Sequence, residues 1–173
     1  MVPVTTPPSL EVEISDTQGH MKVAPEMLAR LARGVLAGEK ILRASISIAL
    51  VDNATIRTMN RRHLDHDWPT DVISFRLSEP DEAVLAGELI VSAEMARATA
   101  REAGIDPAAE LALYVVHGLL HLCGYDDTSD EDVERIRRRE DEVLAREGVS
   151  NTFPLVRAAG SGEGERESVR WSD

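Results

Sequence analysis

Two histidines four residues apart, His117 and His121, lie inside the run Val115-Val116-His117-Gly118-Leu119-Leu120-His121-Leu122-Cys123-Gly124-Tyr125-Asp126-Asp127. The run is apolar enough to be a buried helix, and four residues turn a helix through about 400°, so both imidazoles leave the same face. Two imidazoles on one face can share a metal ion. Gly124 supplies the left-handed residue that commonly ends a helix, after which the chain doubles back towards that face. Asp126 or Asp127 can close the site with a carboxylate. A pair of core histidines with satisfied hydrogen bonds is the competing assignment, and it explains neither the turn glycine nor the carboxylates that follow it.

The spacing resembles H-x-x-x-H-x-x-G-x-x-H/D, whose ligands in zinc hydrolases are the two helical histidines and the last position. In this chain those are His117, His121 and Asp127. Three protein ligands leave a fourth position open, and zinc lowers the pKa of a water held there to about 7, the arrangement of a hydrolase. Metalloproteases of this spacing carry glutamate directly after the first histidine as general base. Here that residue is Gly118, and no methionine follows Asp127 to form a Met-turn. A peptidase is therefore the weaker assignment. A general base must be sought elsewhere: in a water on the ion, in His66, or in Glu88 if the fold brings it near.

The elements that must position these residues are legible from periodicity. Leu10, Val12 and Ile14 alternate with Ser9, Glu11 and Glu13, which predicts a half-buried strand over Ser9 to Ser15. Pro25 opens a helix whose Met27, Leu28, Leu31, Val35 and Leu36 recur at helical spacing up to Gly38. Ile46, Ile48 and Leu50 mark a second strand over Ala44 to Val51, and Asp52 or Asn53 can cap a helix running to about Arg62. The polar loop His63 to Asp71 precedes a strand over Val72 to Leu77, and Glu88 to Ser92 makes a fourth. Ala93 to Ala103 reads as helix ended by Gly104, and Pro107 opens the helix that leads into the histidine motif. Thr128 or Ser129 can cap a last helix with the apolar stripe Val133, Ile136, Val143 and Leu144. Its Arg135, Arg137, Arg138 and Arg139, beside Glu131, Glu134, Glu140, Asp141 and Glu142, read as a solvated face laced with ion pairs.

At 173 residues and 43% hydrophobic, the chain suits one domain with a full core. Its one cysteine, Cys123, allows no internal disulfide and lies about 200° round the helix from His121, so it reads as a core residue in a reducing compartment. Met1 to Leu10 do not form a signal peptide, and no apolar run reaches about 18 residues. A cytoplasmic protein with no membrane partner is expected. Residues 1–8 are expected to be flexible, and residues 157–173, with Gly160, Gly162 and Gly164 among charged residues, to form a disordered tail. The net charge of -12 argues against a nucleic-acid partner, but salt screens charge beyond about 8 Å, so distribution outweighs the total. Asp126 to Glu147 holds ten acidic and five basic residues, whereas Asn53 to Leu64 holds Arg57, Arg61, Arg62 and His63 with no acid.

The segments Met59 to Phe75 (MNRRHLDHDWPTDVISF), Gly87 to Ser92 (GELIVS) and His117 to Asp127 (HGLLHLCGYDD) together resemble the YbeY family of bacterial rRNA maturation factors. The similarity spans about Leu10 to Leu144 and keeps the family's order and spacing. It implies a compact, single-domain α+β fold over residues 9–150, with a small four-stranded mixed sheet, about five helices and zincin-like packing around a central metal-binding helix. It also implies a single-strand-specific, metal-dependent endoribonuclease acting in 3'-end maturation of small-subunit (16S) ribosomal RNA and in ribosome quality control. RNA is then the partner, chiefly rRNA and the small subunit, and DNA is not.

Carried over by position, the metal ligands are His117, His121 and, where the family commonly has histidine, Asp127. A carboxylate preserves a Zn2+ ligand while adding negative charge, which weakens discrimination against other divalent ions. Asp126 is the rival third ligand. The family's Tyr-Arg pair aligns with His63-Leu64, and Arg61, Arg62 or His66 can supply the missing cation that would contact phosphate. Thr70, Asp71 and Ser74 match the T-D-V-x-S-F run, and for Ser74 a structural hydrogen bond is the simpler role. Two other functions remain open: an rRNA-binding assembly factor with a structural zinc, and a metal-dependent hydrolase of another substrate.

Overall fold

Residues 6–149 are described by the structure, a computed structural model of the chain. The alternating segments become β1 (Ser9–Asp16) and β2 (Arg43–Val51), paired in parallel with Val12 opposite Ile46 and Ile14 opposite Ile48. Parallel strands need a crossover, and α1 (Pro25–Gly38) supplies it, with proline in its first turn and Leu28, Leu31, Val35 and Leu36 buried. After α2 (Asn53–Leu64), capped by the Asp52 carboxylate on Thr55 N–H, come β3 (Val72–Arg76) and β4 (Leu85–Ser92). The sheet order is β1-β2-β4-β3, with β4 parallel to β2 and β3 antiparallel to β4. Helices α3 (Ala93–Ala103), α4 (Pro107–Leu122) and α5 (Asp130–Arg146) complete the elements of the described residues.

This is the mixed four-stranded sheet with five helices expected of an α+β domain. Most boundaries moved by a residue or two, and β4 by more: it starts at Leu85, three residues before the expected Glu88, because its ladder with β2 extends to Ala44. Residues 1–5 of the expected flexible arm and the expected tail, 157–173, lie outside the described residues, and residues 6–8 have no regular structure. Among the described residues, no helix is long and apolar enough to cross a membrane.

The sheet's two faces are covered unequally. One carries Ile46, Ile48, Leu50, Leu89, Val91 and Val72 into the main core with α1 and α4. The other buries Val51, Ile73 and Ile90 against Ile56 of α2, with Met59, Leu64 and Phe75 at the margin. Helix α4 is apolar almost all round because it is enclosed by the sheet, α1, α3 and α5. Its contact with the sheet depends on Gly118. A Cβ there would lie 2.9 Å from Leu89 Cδ2, 3.0 Å from Val72 Cγ2 and 3.2 Å from Ser74 Oγ. The glycine that removed a catalytic base from the sequence pattern is thus the residue that lets α4 lie close on β3 and β4.

Candidate metal centre

His117 and His121 occupy the last turns of α4, and their Nε2 atoms face each other at 3.0 Å. Gly124, at φ +102°, then reverses the chain, with Gly124 N–H on His121 O and Tyr125 N–H on Leu120 O, both at 3.0 Å. The reversal carries Asp127 back so that its Oδ2 stands 3.6 Å from His121 Nε2. Asp126 is occupied by the turn itself. Its Oδ1 accepts from Asp127 N–H at 2.7 Å and its Oδ2 from Thr128 Oγ1 at 3.1 Å. The carboxylate beside the histidines therefore belongs to Asp127.

The three side chains fit a metal ion by their spacing. Tetrahedral nitrogen and oxygen ligands at 2.0–2.2 Å from an ion lie about 3.3–3.6 Å from one another. Here one ligand atom from each residue falls within 4.8 Å of the other two, with His117 Nε2 and Asp127 Oδ2 standing 3.0 and 3.6 Å from His121 Nε2. The site is also lopsided. The side chains of His121 and Asp127 are 3% and 8% exposed, whereas His117 is 24% exposed, so solvent reaches the group past His117.

The residue that orients His117 was not found by sequence reasoning. His117 Nδ1 pairs with Glu140 Oε1 at 2.5 Å, and Glu140 is fully buried on α5. With Nδ1 donating to this carboxylate, Nε2 keeps its lone pair facing His121, as a metal ligand requires. Reading Glu140 as part of a solvated face is therefore corrected. Ile136, Glu140, Val143 and Leu144 form one inward face at helical spacing. The signal was the gap in the apolar stripe: a charged residue at a position the period assigns to the core. Arg139 departs from the solvated face too, its Nε donating to Glu39 Oε1 at 2.6 Å with both side chains largely buried, whereas Arg138 with Glu134 at 3.1 Å is a surface pair as expected.

The sheet supports the same turn. Ser74 Oγ donates to Gly118 O at 3.1 Å, tying β3 to the helix between the two histidines. Asp71 Oδ1 accepts from Val72 N–H at 2.9 Å and Thr70 Oγ1 at 3.2 Å, which fixes the start of β3. Burial opposes protonation of His117, but the hydrogen bond and charge of Glu140, aided by Asp71 and Asp127, outweigh it and raise its pKa above the ordinary value. This is an electrostatic basin that favours a cation. Cys123 stands apart from the cluster: burial first, then the Glu39 charge, pushes its thiol up to about 12, so it is no nucleophile near neutral pH.

Three of the six candidate site residues are thereby brought together, and the other three are not. Arg61 and Arg62 are exposed in the last turn of α2, and neither makes a hydrogen bond or ion pair among the described residues. His66 lies in the following loop with its ring against Trp68, at 4.4 Å between centroids. Leu64, at the position of the family's arginine, packs against the small core of Val51, Ile56, Ile73 and Ile90. Glu88 pairs in register with Ser47 and Phe75, and alternation turns it away from the face on which Leu89 meets Gly118. It is not the base beside the histidines.

Residues 13–148 match the family model described as Endoribonuclease YbeY. Among curated proteins, the endoribonuclease YbeY of Syntrophotalea carbinolica is 37% identical over 78% of this chain and 94% of its own length. That of Rhodopirellula baltica is 40% identical over 84% of this chain and 74% of its own. A Thermotoga maritima protein solved in solution superimposes with a TM-score of 0.55 at 27% identity, over 82% of this chain and 98% of that one. By the extent of these matches, the chain belongs to the endoribonuclease YbeY family.

Proposed function

We propose that the protein is a metal-dependent endoribonuclease that cuts single-stranded RNA, with His117, His121 and Asp127 holding one divalent ion. The observation that carries this reading is the cluster itself: three ligand atoms at metal-binding separation, one imidazole fixed by a buried carboxylate, and an approach past His117. Zinc is the natural occupant of an N2O donor set with an open position, where it supplies Lewis-acid charge for a phosphoryl oxygen. Glu140 holds His117 in one tautomer and ring orientation, and Ser74 holds the backbone between the histidines. Arg61 and Arg62 make no hydrogen bond or close ion pair among the described residues, although the Arg61 charge reaches the Asp67 carboxylate, and so are available to the RNA backbone. His66, in the loop that follows those arginines, is assigned the proton-transfer role.

A closed structural zinc site would use four protein ligands, and the partly exposed His117 speaks against that alternative. The natural substrate proposed is the precursor 3' end of small-subunit ribosomal RNA, in the cytoplasm, with quality control of the assembled subunit as a second role. Metal-quantified protein incubated with single-stranded and duplex RNA tests the activity, with His117→Ala as the control for contaminating nuclease. Cleavage confined to single strands and lost in the variant is the expected result. RNA that binds but is never cut would return the case to an assembly factor. Precursor 3' ends accumulating in cells carrying only His117→Ala would place the activity in rRNA maturation.

A further inference from the structure

The chain is poor in aromatic residues, at 3%, and carries a net charge of -12, yet one short region concentrates cations beside aromatic rings. Helix α2 and the loop after it hold Arg57, Arg61, Arg62, His63 and His66. His66 lies against Trp68, and His63 meets Phe75 edge-on at 5.4 Å. Trp68 is 39% exposed and is the only aromatic among the large hydrophobic residues left exposed in the described chain. Its position is fixed. Fully buried Asn60 donates its Nδ2–H to Trp68 O at 3.0 Å and accepts His66 N–H on its backbone oxygen at 3.3 Å, while Arg57 grips Asp67 at 3.0 Å. An indole held out to solvent in an ordered loop, a few residues after two exposed arginines that make no hydrogen bond or ion pair among the described residues, has the composition of a surface that stacks nucleobases and neutralises phosphates.

We propose that Trp68 is a base-stacking platform: its indole takes an unpaired nucleobase of the RNA strand while Arg61 and Arg62 contact the adjoining phosphates. The proposal rests on the ribonuclease reading above and supplies its selectivity, because a base inside a duplex has no free face to offer. Geometry connects the platform to the metal centre. Trp68 is three residues from Asp71, a span of at most about 11 Å, and the strand that starts there touches Gly118 through Val72 and Ser74. A strand stacked on Trp68 is thus delivered to the helix that carries both histidines.

The test uses the full chain with Trp171→Phe, which leaves Trp68 as the sole indole, combined with His117→Ala so that RNA stays intact. Indole emission is expected to change on titration with a single-stranded oligoribonucleotide and not with the same sequence as a duplex. Trp68→Ala should weaken binding of a labelled single strand by about tenfold, and Trp68→Phe, which keeps a ring, by clearly less. Circular dichroism of each variant guards against misfolding. Cleavage by the parent with unaltered affinity in Trp68→Ala would remove the platform and leave the nuclease standing. Trp68-dependent binding without cleavage in the parent would keep the platform and remove the nuclease.

Discussion

The end of α4 and the end of α2 meet opposite demands. At the end of α4 the side chains are buried and braced by others: Glu140 on His117, Ser74 on the Gly118 carbonyl, Asp126 on the turn that presents Asp127. At the end of α2 the arginines are exposed and held by no hydrogen bond or close ion pair among the described residues. An ion must be gripped whether or not substrate is present, so its ligands are fixed during folding. Phosphates arrive later, and the cations that meet them do best to remain hydrated and uncommitted until then. Substitutions at the first end should therefore disturb metal affinity and folding together, and substitutions at the second should disturb RNA affinity alone.

Glu140→Ala tests the first half most severely. Partners behind metal-bound histidines are worth roughly 10–100-fold in affinity, and a loss of that size is expected in a competition assay with a chromophoric chelator. Glu140→Gln keeps an acceptor for His117 and should lose less. Unchanged affinity in both variants would mean that His117 needs no bracing. Next comes Gly118→Ala, whose methyl meets Leu89 and Val72 at about van der Waals overlap. Overpacking of this kind costs about 1–3 kcal/mol, read as a lower denaturation midpoint in metal-loaded and metal-stripped protein alike. A drop seen only in the metal-loaded form would place the effect on the ligands and not on the α4–sheet contact.

These two residues also mark what the sequence could and could not disclose. His117, His121 and the αL glycine were legible because helical geometry converts spacing into a shared face without tertiary information. Asp127 was legible only as one of two, because the choice depends on which carboxylate the turn consumes, and the Asp126 hydrogen bonds decide that only in three dimensions. Glu140 was concealed by its company: ringed by arginines and acids on α5, it looks solvated until the inward face is drawn through Ile136 and Val143. Strands β1 and β2 followed from alternation. The start of β4 did not, since Leu85 to Gly87 become strand by pairing with β2 and not by pattern.

At the other end, Arg61→Ala with Arg62→Ala should leave metal affinity and the denaturation midpoint where they were. Removing one cation that neutralises a phosphate lowers the salt dependence of single-strand binding by about 0.7 in log–log slope, so the pair should remove roughly 1.4. An unchanged slope with weaker binding would mean that the two guanidinium groups act on something other than the backbone.

The smallest effect expected is the one that separates position from charge. Arg138→Ala removes the same formal charge as Arg61→Ala, from a position that is also exposed. Its guanidinium is already paired with Glu134 at 3.1 Å, and both side chains are more than half exposed, 67% and 74%. Such i,i+4 pairs contribute about 0.3–0.5 kcal/mol, so stability should barely move. RNA affinity should not move at all, because the stretch from Asp126 to Glu147 carries twice as many acids as bases and repels a polyanion on balance. If Arg138→Ala weakened RNA binding as much as Arg61→Ala, total charge and not the uncommitted arginines of α2 would govern the encounter, and the contrast between the two ends of the molecule would collapse.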